Sequence, residues 1–256
     1  MSGQLYLLPC PISEAPALDA LPASTVETAR RIDHFLVEAA RTARATLKAM
    51  GHPKTIAELD IVEIGHDPAP ELISEWLQPV LDGADAAVLS ESGCPGVADP
   101  GAQIAARAHE LGICVVPLTG PSSILLTLMA SGLDGQRFRF SGYLPKHDAE
   151  RRAAILAAEK ASRASETQLF IETPYRNTAL LDALLETLAP DTRLTVAIDV
   201  TGQNESIRTL TAAAWKAIPK AMRTLPKLPT VFAFLAKPGN RAPRYAPECA
   251  VGKRAH

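Results

Sequence analysis

Along the first half of the chain, short aliphatic and β-branched runs alternate with Ala-rich stretches whose apolar positions recur at helical spacing. The runs at Gln4–Leu8, Phe35–Glu38, Asp60–Ile64, Ala86–Ser90 and Ile113–Pro117 are bounded by Gly, Pro or polar residues, and each predicts a strand. Between them the pattern predicts helices over Ala40–Met50, Glu71–Leu81 and Gly101–Leu111. These stop at or near Gly51, Gly83 and Gly112, where Gly supplies the left-handed residue that closes a helix. Beyond Pro117 the spacing changes. A helix is predicted over Ser122–Ala130, then strands at Phe138–Tyr143, Gln168–Thr173, Arg193–Val200 and Thr230–Ala236, with helices over Glu150–Ala161 and Ala179–Leu188.

This alternation predicts an α/β fold with largely parallel pairing. The loop TGPSS marks a boundary, so residues 1–117 are expected to form an N-terminal α/β domain and residues 118–238 a C-terminal one. Residues 239–256 are rich in Pro, Ala and basic residues without periodicity and are expected to be a mobile tail.

A chain of 256 residues can bury a core without metal or disulfide staples. Its 26 Lys and Arg nearly balance 28 Asp and Glu, so any nucleic-acid partner must be met by a local patch, not by a global field. The start, MSGQLYLLPCPISE, has no basic segment and too short an apolar run for a signal peptide or membrane span, which predicts a cytoplasmic protein that does not engage membrane. Cys10, Cys94, Cys114 and Cys249 lie far apart with no ligand-spaced His pair, so reduced thiols and no metal are expected.

The richest segment chemically is SESGCPGVADPG, Ser90 to Gly101, at the C-terminal end of a hydrophobic strand, where open α/β sheets bind ligands. Its glycines permit close backbone approach, its prolines stiffen it, and it is far longer than a plain strand-to-helix turn requires. In a second loop, LTGPSS, Ser122 and Ser123 stand where they can either cap the following helix or help its first-turn N–H groups meet a ligand. Pro9 to Ser13 form a third loop, stiffened by two prolines. The fourth, Glu172 to Asn177, places an acid, an aromatic ring and the Arg176 guanidinium at a strand end. No dinucleotide or P-loop fingerprint is present.

In this order and at these separations, the four loops resemble the tetrapyrrole methylase superfamily. SESGCPGVADPG, PLTGPSS, FRFSGYLPK and FIETPYRN look most like its bacterial ribosomal small-subunit methyltransferase I group, which methylates a cytidine 2′-hydroxyl of rRNA. The resemblance implies two α/β domains with S-adenosylmethionine in the cleft between them. It places the donor against Ile12, against Ser92, Gly93, Cys94 and Val97, and against Ser122 and Ser123, with Glu172 and the backbone near Val200 completing the pocket. It further implies ribosomal RNA or the small ribosomal subunit as partner, and a homodimer is expected. Arg41 and Arg44, three apart at a helix start, are expected on the acceptor side, with Arg176 joining them.

The chain departs from the group's pattern. Its acidic E-D-T-R segment is matched by Glu38 to Arg44 without the Asp, and Ser13 and Glu14 stand where the group has Gly and Asn. Glu38 and Glu91 are conceivable bases, but no catalytic residue is assigned. Two alternatives stay open: methylation of a tetrapyrrole carbon, against which PCPISE and GCP stand where those enzymes show other signatures, and a donor-binding module without rRNA activity.

Overall fold

The computed structural model describes residues 2–14 and 16–238; the expectation for 239–256 and Cys249 lie outside the described residues. Among them the elements run β1 (Gln4–Leu8), α1 (Ala17–Ala20), α2 (Ala23–Ala29), β2 (His34–Val37), α3 (Ala40–Ala49), β3 (Asp60–Glu63), α4 (Pro70–Trp76), α5 (Gln78–Leu81), β4 (Ala86–Leu89), α6 (Gly101–Glu110) and β5 (Cys114–Pro117). They continue through α7 (Ser123–Ser131), β6 (Phe138–Tyr143), α8 (Asp148–Ser162), β7 (Thr167–Glu172), α9 (Asn177–Thr187), β8 (Arg193–Ile198), β9 (Ser206–Thr211), α10 (Ala212–Ala217) and β10 (Thr230–Leu235).

The first sheet has the order β3-β2-β4-β1-β5, and all its pairings are parallel. Such a sheet is covered on both faces, so its strands read as unbroken apolar runs. In β4 every residue is buried, yet the period of two survives: Ala87 and Leu89 enter one core cluster, Ala86 and Val88 the other.

The second sheet, β6-β7-β10-β8-β9, corrects the expectation of largely parallel pairing. Only β6–β7 is parallel in it, while β10 runs antiparallel to both β7 and β8, and β8 to β9. For β8 and β9 the reason lies in their short link, residues 199–205, which can return the chain only as a hairpin. Alternation again divides the core, with Phe232 and Phe234 on one face of β10 and Val231 and Ala233 on the other.

One predicted helix, Glu71–Leu81, is instead two. Pro79 lacks the N–H that would bond the preceding turn and its ring crowds that turn's carbonyl, so the helix breaks at Leu77. Among the described residues no helix is long and apolar enough to cross a membrane.

Candidate functional site

β4, β1 and β5 are neighbours in a parallel sheet, so the loops that follow them emerge side by side at its C-terminal edge. Backbone bonds then tie these loops together. Cys10 N–H donates to Gly93 O at 2.9 Å, and Gly93 N–H returns a bond to Cys10 O at 3.2 Å. The buried Cys10 thiol donates to Ser90 O at 3.0 Å, and burial pushes it up to about 12, which makes it a structural thiol, not a nucleophile. A side chain on Gly120 would overlap Pro9, so the loop after β5 can lie against the loop after β1 only because Gly stands there. Ser122 caps α7, its hydroxyl accepting from Leu125 N–H at 3.5 Å.

Within the long loop, Asp99 acts as the organiser. Its Oδ1 accepts from Gly96 N–H at 2.7 Å and Gly101 N–H at 2.8 Å. Gly93 and Gly96 have φ of +74° and +84°, and Ala98, without the licence of glycine, has +64°. The other carboxylate oxygen, Oδ2, is buried with no hydrogen-bond partner. Ser90 lies close enough to lower the pKa of this group, but its hydroxyl bonds are to the Ser92 and Gly93 carbonyls. Burial outweighs these contacts and holds the Asp99 carboxyl above its usual range.

Across from these loops the second sheet presents one edge. The antiparallel register sets Thr230 beside both Glu172 and Ile198, so the end of β7, the start of β10 and the segment after β8 converge. Between the two sheets lies a cavity of about 350 Å³, the size of small-ligand sites. Ile12 crosses the divide, lining the cavity while packing with Ile124, Val200 and Val231 in the core beneath the second sheet. Glu172 is buried there. Its Oε1 accepts from Thr173 N–H at 2.8 Å, and its Oε2 lies 3.1 Å from Arg176 Nη2 in a charge contact that is not a directed hydrogen bond.

Of the residues expected at a donor site, Ile12, Ser92, Val97, Ser123, Glu172 and Val200 line this cavity. Gly93 and Cys94 lie behind it. A Cβ on Gly93 would sit 3.2 Å from Ile12 Cγ2, and Cys94 Sγ is 3.4 Å from Pro121 O. Arg41 and Arg44 are exposed on α3 outside the cavity, Arg44 beside a groove with Ile56 and Leu59. Arg176 is drawn to Glu172, a pairing that competes with the surface role expected of it. Glu38 lines the cavity, but its carboxylate is engaged by His66 at 3.0 Å and by Glu91 N–H at 3.3 Å. The sequence reading passed over Asp99, Thr173 and Thr230, which also line it. Asp99 had a signal, an acid directly before the Pro-Gly that opens a helix, but that pattern equally marks an ordinary cap. Among the described residues no three His, Cys, Asp or Glu converge as metal ligands.

The model of the family described as Tetrapyrrole (Corrin/Porphyrin) Methylases matches residues 17–215. The chain belongs to the tetrapyrrole methylase family. Within that family it is similar to the ribosomal RNA small subunit methyltransferase I of Vibrio cholerae, 30% identical over 208 residues, which cover 80% of this chain and 67% of the relative. The protein of the same name from Mesorhizobium japonicum is 32% identical, with 82% of this chain and 68% of the relative covered. For the Bacillus subtilis protein the identity is 32% and the coverages are 79% and 65%. The chain thus spans about two thirds of the length of these relatives. Solved methyltransferases share the fold: uroporphyrin-III-C-methyltransferase of Thermus thermophilus has a TM-score of 0.55 at 18% identity, covering 92% of this chain and 93% of that one. For the methyltransferase CobJ the TM-score is 0.60 at 16% identity, with coverages of 92% and 95%.

Proposed function

We propose that this chain is an S-adenosylmethionine-dependent methyltransferase of the cytoplasm that methylates a ribose 2′-hydroxyl of small-subunit rRNA. The observation that carries the reading is the cavity between the sheets, which Ile12, Ser92, Val97, Ser123, Glu172 and Val200 line together with Asp99, whose carboxylate two backbone N–H groups hold. A carboxylate on the wall suits a cationic ligand through its charge, and the relatives' names supply the acceptor class. Residues 1–117 and 118–238 serve as the two α/β domains.

In this reading the donor, when bound, supplies an electrophilic methyl on a sulfonium. Ile12, Val97 and Val200 exclude water around it, Ser92 and Ser123 offer hydroxyls, and Glu172 offers a carboxylate edge. Gly93, Cys94 and Ser122 shape the loops from behind. Methyl transfer asks mostly for alignment, which supplies about 7–11 kcal/mol of barrier reduction in well-oriented systems. Glu91 is exposed at the rim of the cavity, where its carboxylate can take the proton of an acceptor hydroxyl.

Calorimetry with S-adenosylhomocysteine and no added metal tests the donor. Mapping of rRNA ribose methylation in cells with and without the gene tests the acceptor. The expected result is one ribose methyl lost on deletion and restored by the gene; an unchanged map overturns the acceptor class.

Arg41 and Arg44 project from one exposed side of α3 and are assigned to RNA phosphates. Their replacement by Ala is expected to reduce the salt slope of RNA binding by about 1.4–1.8 and leave donor affinity unchanged. Leu125 and Met129, four apart and exposed on α7, are assigned to a homodimer interface, for which sedimentation should read twice the chain mass.

A further inference from the structure

A second cavity, of about 360 Å³, shares Ile12, Glu91, Ser92 and Pro229 with the first and lies beside it between the same two sheets. Pro229 therefore stands in the partition between the two. Leu228 continues that partition along the second cavity, and Thr230 and Val231 continue it along the first.

The regular ladder of β10 begins only at Thr230, and Pro229 has no N–H to give to a neighbouring strand. Groups from outside the ladder hold the partition instead. From the end of β8, Asp199 N–H donates to Pro229 O at 2.8 Å. From the start of α9, Asn177 Nδ2 donates to Leu228 O at 2.8 Å and to Thr230 Oγ1 at 2.9 Å, and the Thr230 hydroxyl donates in turn to Leu228 O at 3.0 Å. These bonds close a ring that uses both amide hydrogens and the hydroxyl. The adjacent Thr178 adds a tie to the same link, its hydroxyl accepting from Leu225 N–H at 3.0 Å.

Asn177 is wholly buried and lines neither cavity. An asparagine near a helix start commonly serves its own helix through the side-chain oxygen. Here α9 has no side-chain cap, and the amide hydrogens go to residues 51 and 53 positions further along the chain. The short helical turn Pro174–Arg176 joins Asn177 to Glu172, Thr173 and Pro174 on the first cavity's wall. Asn177 thus ties the segment leaving β7 to the segment entering β10, both of which face that cavity. We propose that Asn177 is a positioning residue for the donor: without touching it, the amide sets where Pro229 and Thr230 stand. The assignment to a donor rests on the methyltransferase reading of the first cavity. An apolar side chain of comparable size fills the same space but offers no hydrogen to Leu228 O or Thr230 Oγ1, which frees the partition to shift.

The test compares the full chain with Asn177→Leu, Thr230→Val and the double variant. Calorimetry with S-adenosylhomocysteine, on variants that chemical denaturation shows to be folded, should find Asn177→Leu weakened at least about tenfold. The double variant should lose less than the product of the two single effects, because Asn177 acts in part through the hydroxyl that Thr230→Val removes. Hydrogen exchange without ligand reads the partition itself. In Asn177→Leu the Asp199 amide, bonded to Pro229 O, should exchange faster, while the Phe232 and Ala233 amides in the middle of β10 keep their protection. Asn177→Ala, which removes the same donors without added bulk, gives the same readings if the Leu variant does not fold. Unchanged affinity in the folded variant, or single effects that multiply in full, overturns the proposal. So does exchange that rises evenly at Asp199 and along β10, which would leave Asn177 a stabiliser of the sheet alone. Should S-adenosylhomocysteine fail to bind the unaltered chain, the methyltransferase reading falls, while selective exchange at Asp199 keeps Asn177 as the residue that sets the cavity wall.

Discussion

Asp99→Asn is expected to remove most of the affinity for S-adenosylmethionine while leaving the fold intact. The amide keeps an oxygen in place of Oδ1, so the bonds from Gly96 and Gly101 survive, but the cavity wall loses the carboxylate's charge. Opposite charges roughly 6–8 Å apart attract by about 2–3 kcal/mol at an effective dielectric of about 20, so affinity for the sulfonium donor should fall roughly tenfold to a hundredfold. S-adenosylhomocysteine, which lacks the positive charge, should lose less than about threefold by the same argument. Parallel titrations of the two ligands read the difference directly, and equal losses would mean that Asp99 does not face the sulfonium.

The pH dependence has a definite sign. Folding raises the Asp99 pKa above its ordinary 3.8, so between that value and the raised one the folded chain holds more proton than the unfolded chain. The group therefore favours the fold at low pH, and that contribution is lost as pH rises through the raised pKa. Donor binding runs the other way: a cation prefers the ionised carboxylate, so affinity should weaken as pH falls through the same window. Asp99→Asn removes both effects. The variant should melt no lower than the unaltered chain at neutral pH, the trade of stability against function expected where a buried charge serves a ligand.

What was legible in the sequence is what periodicity and punctuation encode. The five strands of the first sheet stand at their expected positions within a residue or two, the inner ones because buried parallel strands are apolar runs, the edge strands β3 and β5 because turn residues bound a short β-branched core. The unpredicted elements are those with weak or half-exposed patterns. β9, Ser-Ile-Arg-Thr-Leu-Thr, is an edge strand whose partner lies only on one side, and α10 is six residues long. α1 and α2 are short and separated by Pro22, too brief for a helical period to show. At the site, loops rich in Gly and Pro announced themselves, whereas Asp99 did not: an acid that caps its own turn looks ordinary in sequence, and only the fold brings it to the wall of the cavity. The second cavity was equally invisible, since it depends on residues 13–14 and 199–204 meeting across the sheets.

Gly93→Val is expected to cost more in donor binding than in folding, and comparison with Gly93→Ala isolates the reason. At φ +74° any side chain meets the left-handed penalty of roughly 1–2 kcal/mol. Ala should therefore lose stability by about that amount and Val, β-branched at a positive φ, somewhat more, both tolerable against a typical total of about 5–15 kcal/mol. They differ in reach. The Cβ they share would stand 3.2 Å from Ile12 Cγ2 and 3.6 Å from Pro121 O, tight but open to adjustment by a few tenths of an ångström. The two further methyls of Val have no such room, and the side chain they would displace, Ile12, lines the donor cavity. Chemical denaturation should place the Val midpoint somewhat below that of Ala, while calorimetry with S-adenosylhomocysteine on the folded variants should show Val weakened at least about tenfold relative to Ala, a difference of about 1.4 kcal/mol. If affinity instead follows stability in both variants, Gly93 serves only the turn that pairs with Cys10, and the cavity in front of Ile12 is not where the donor sits.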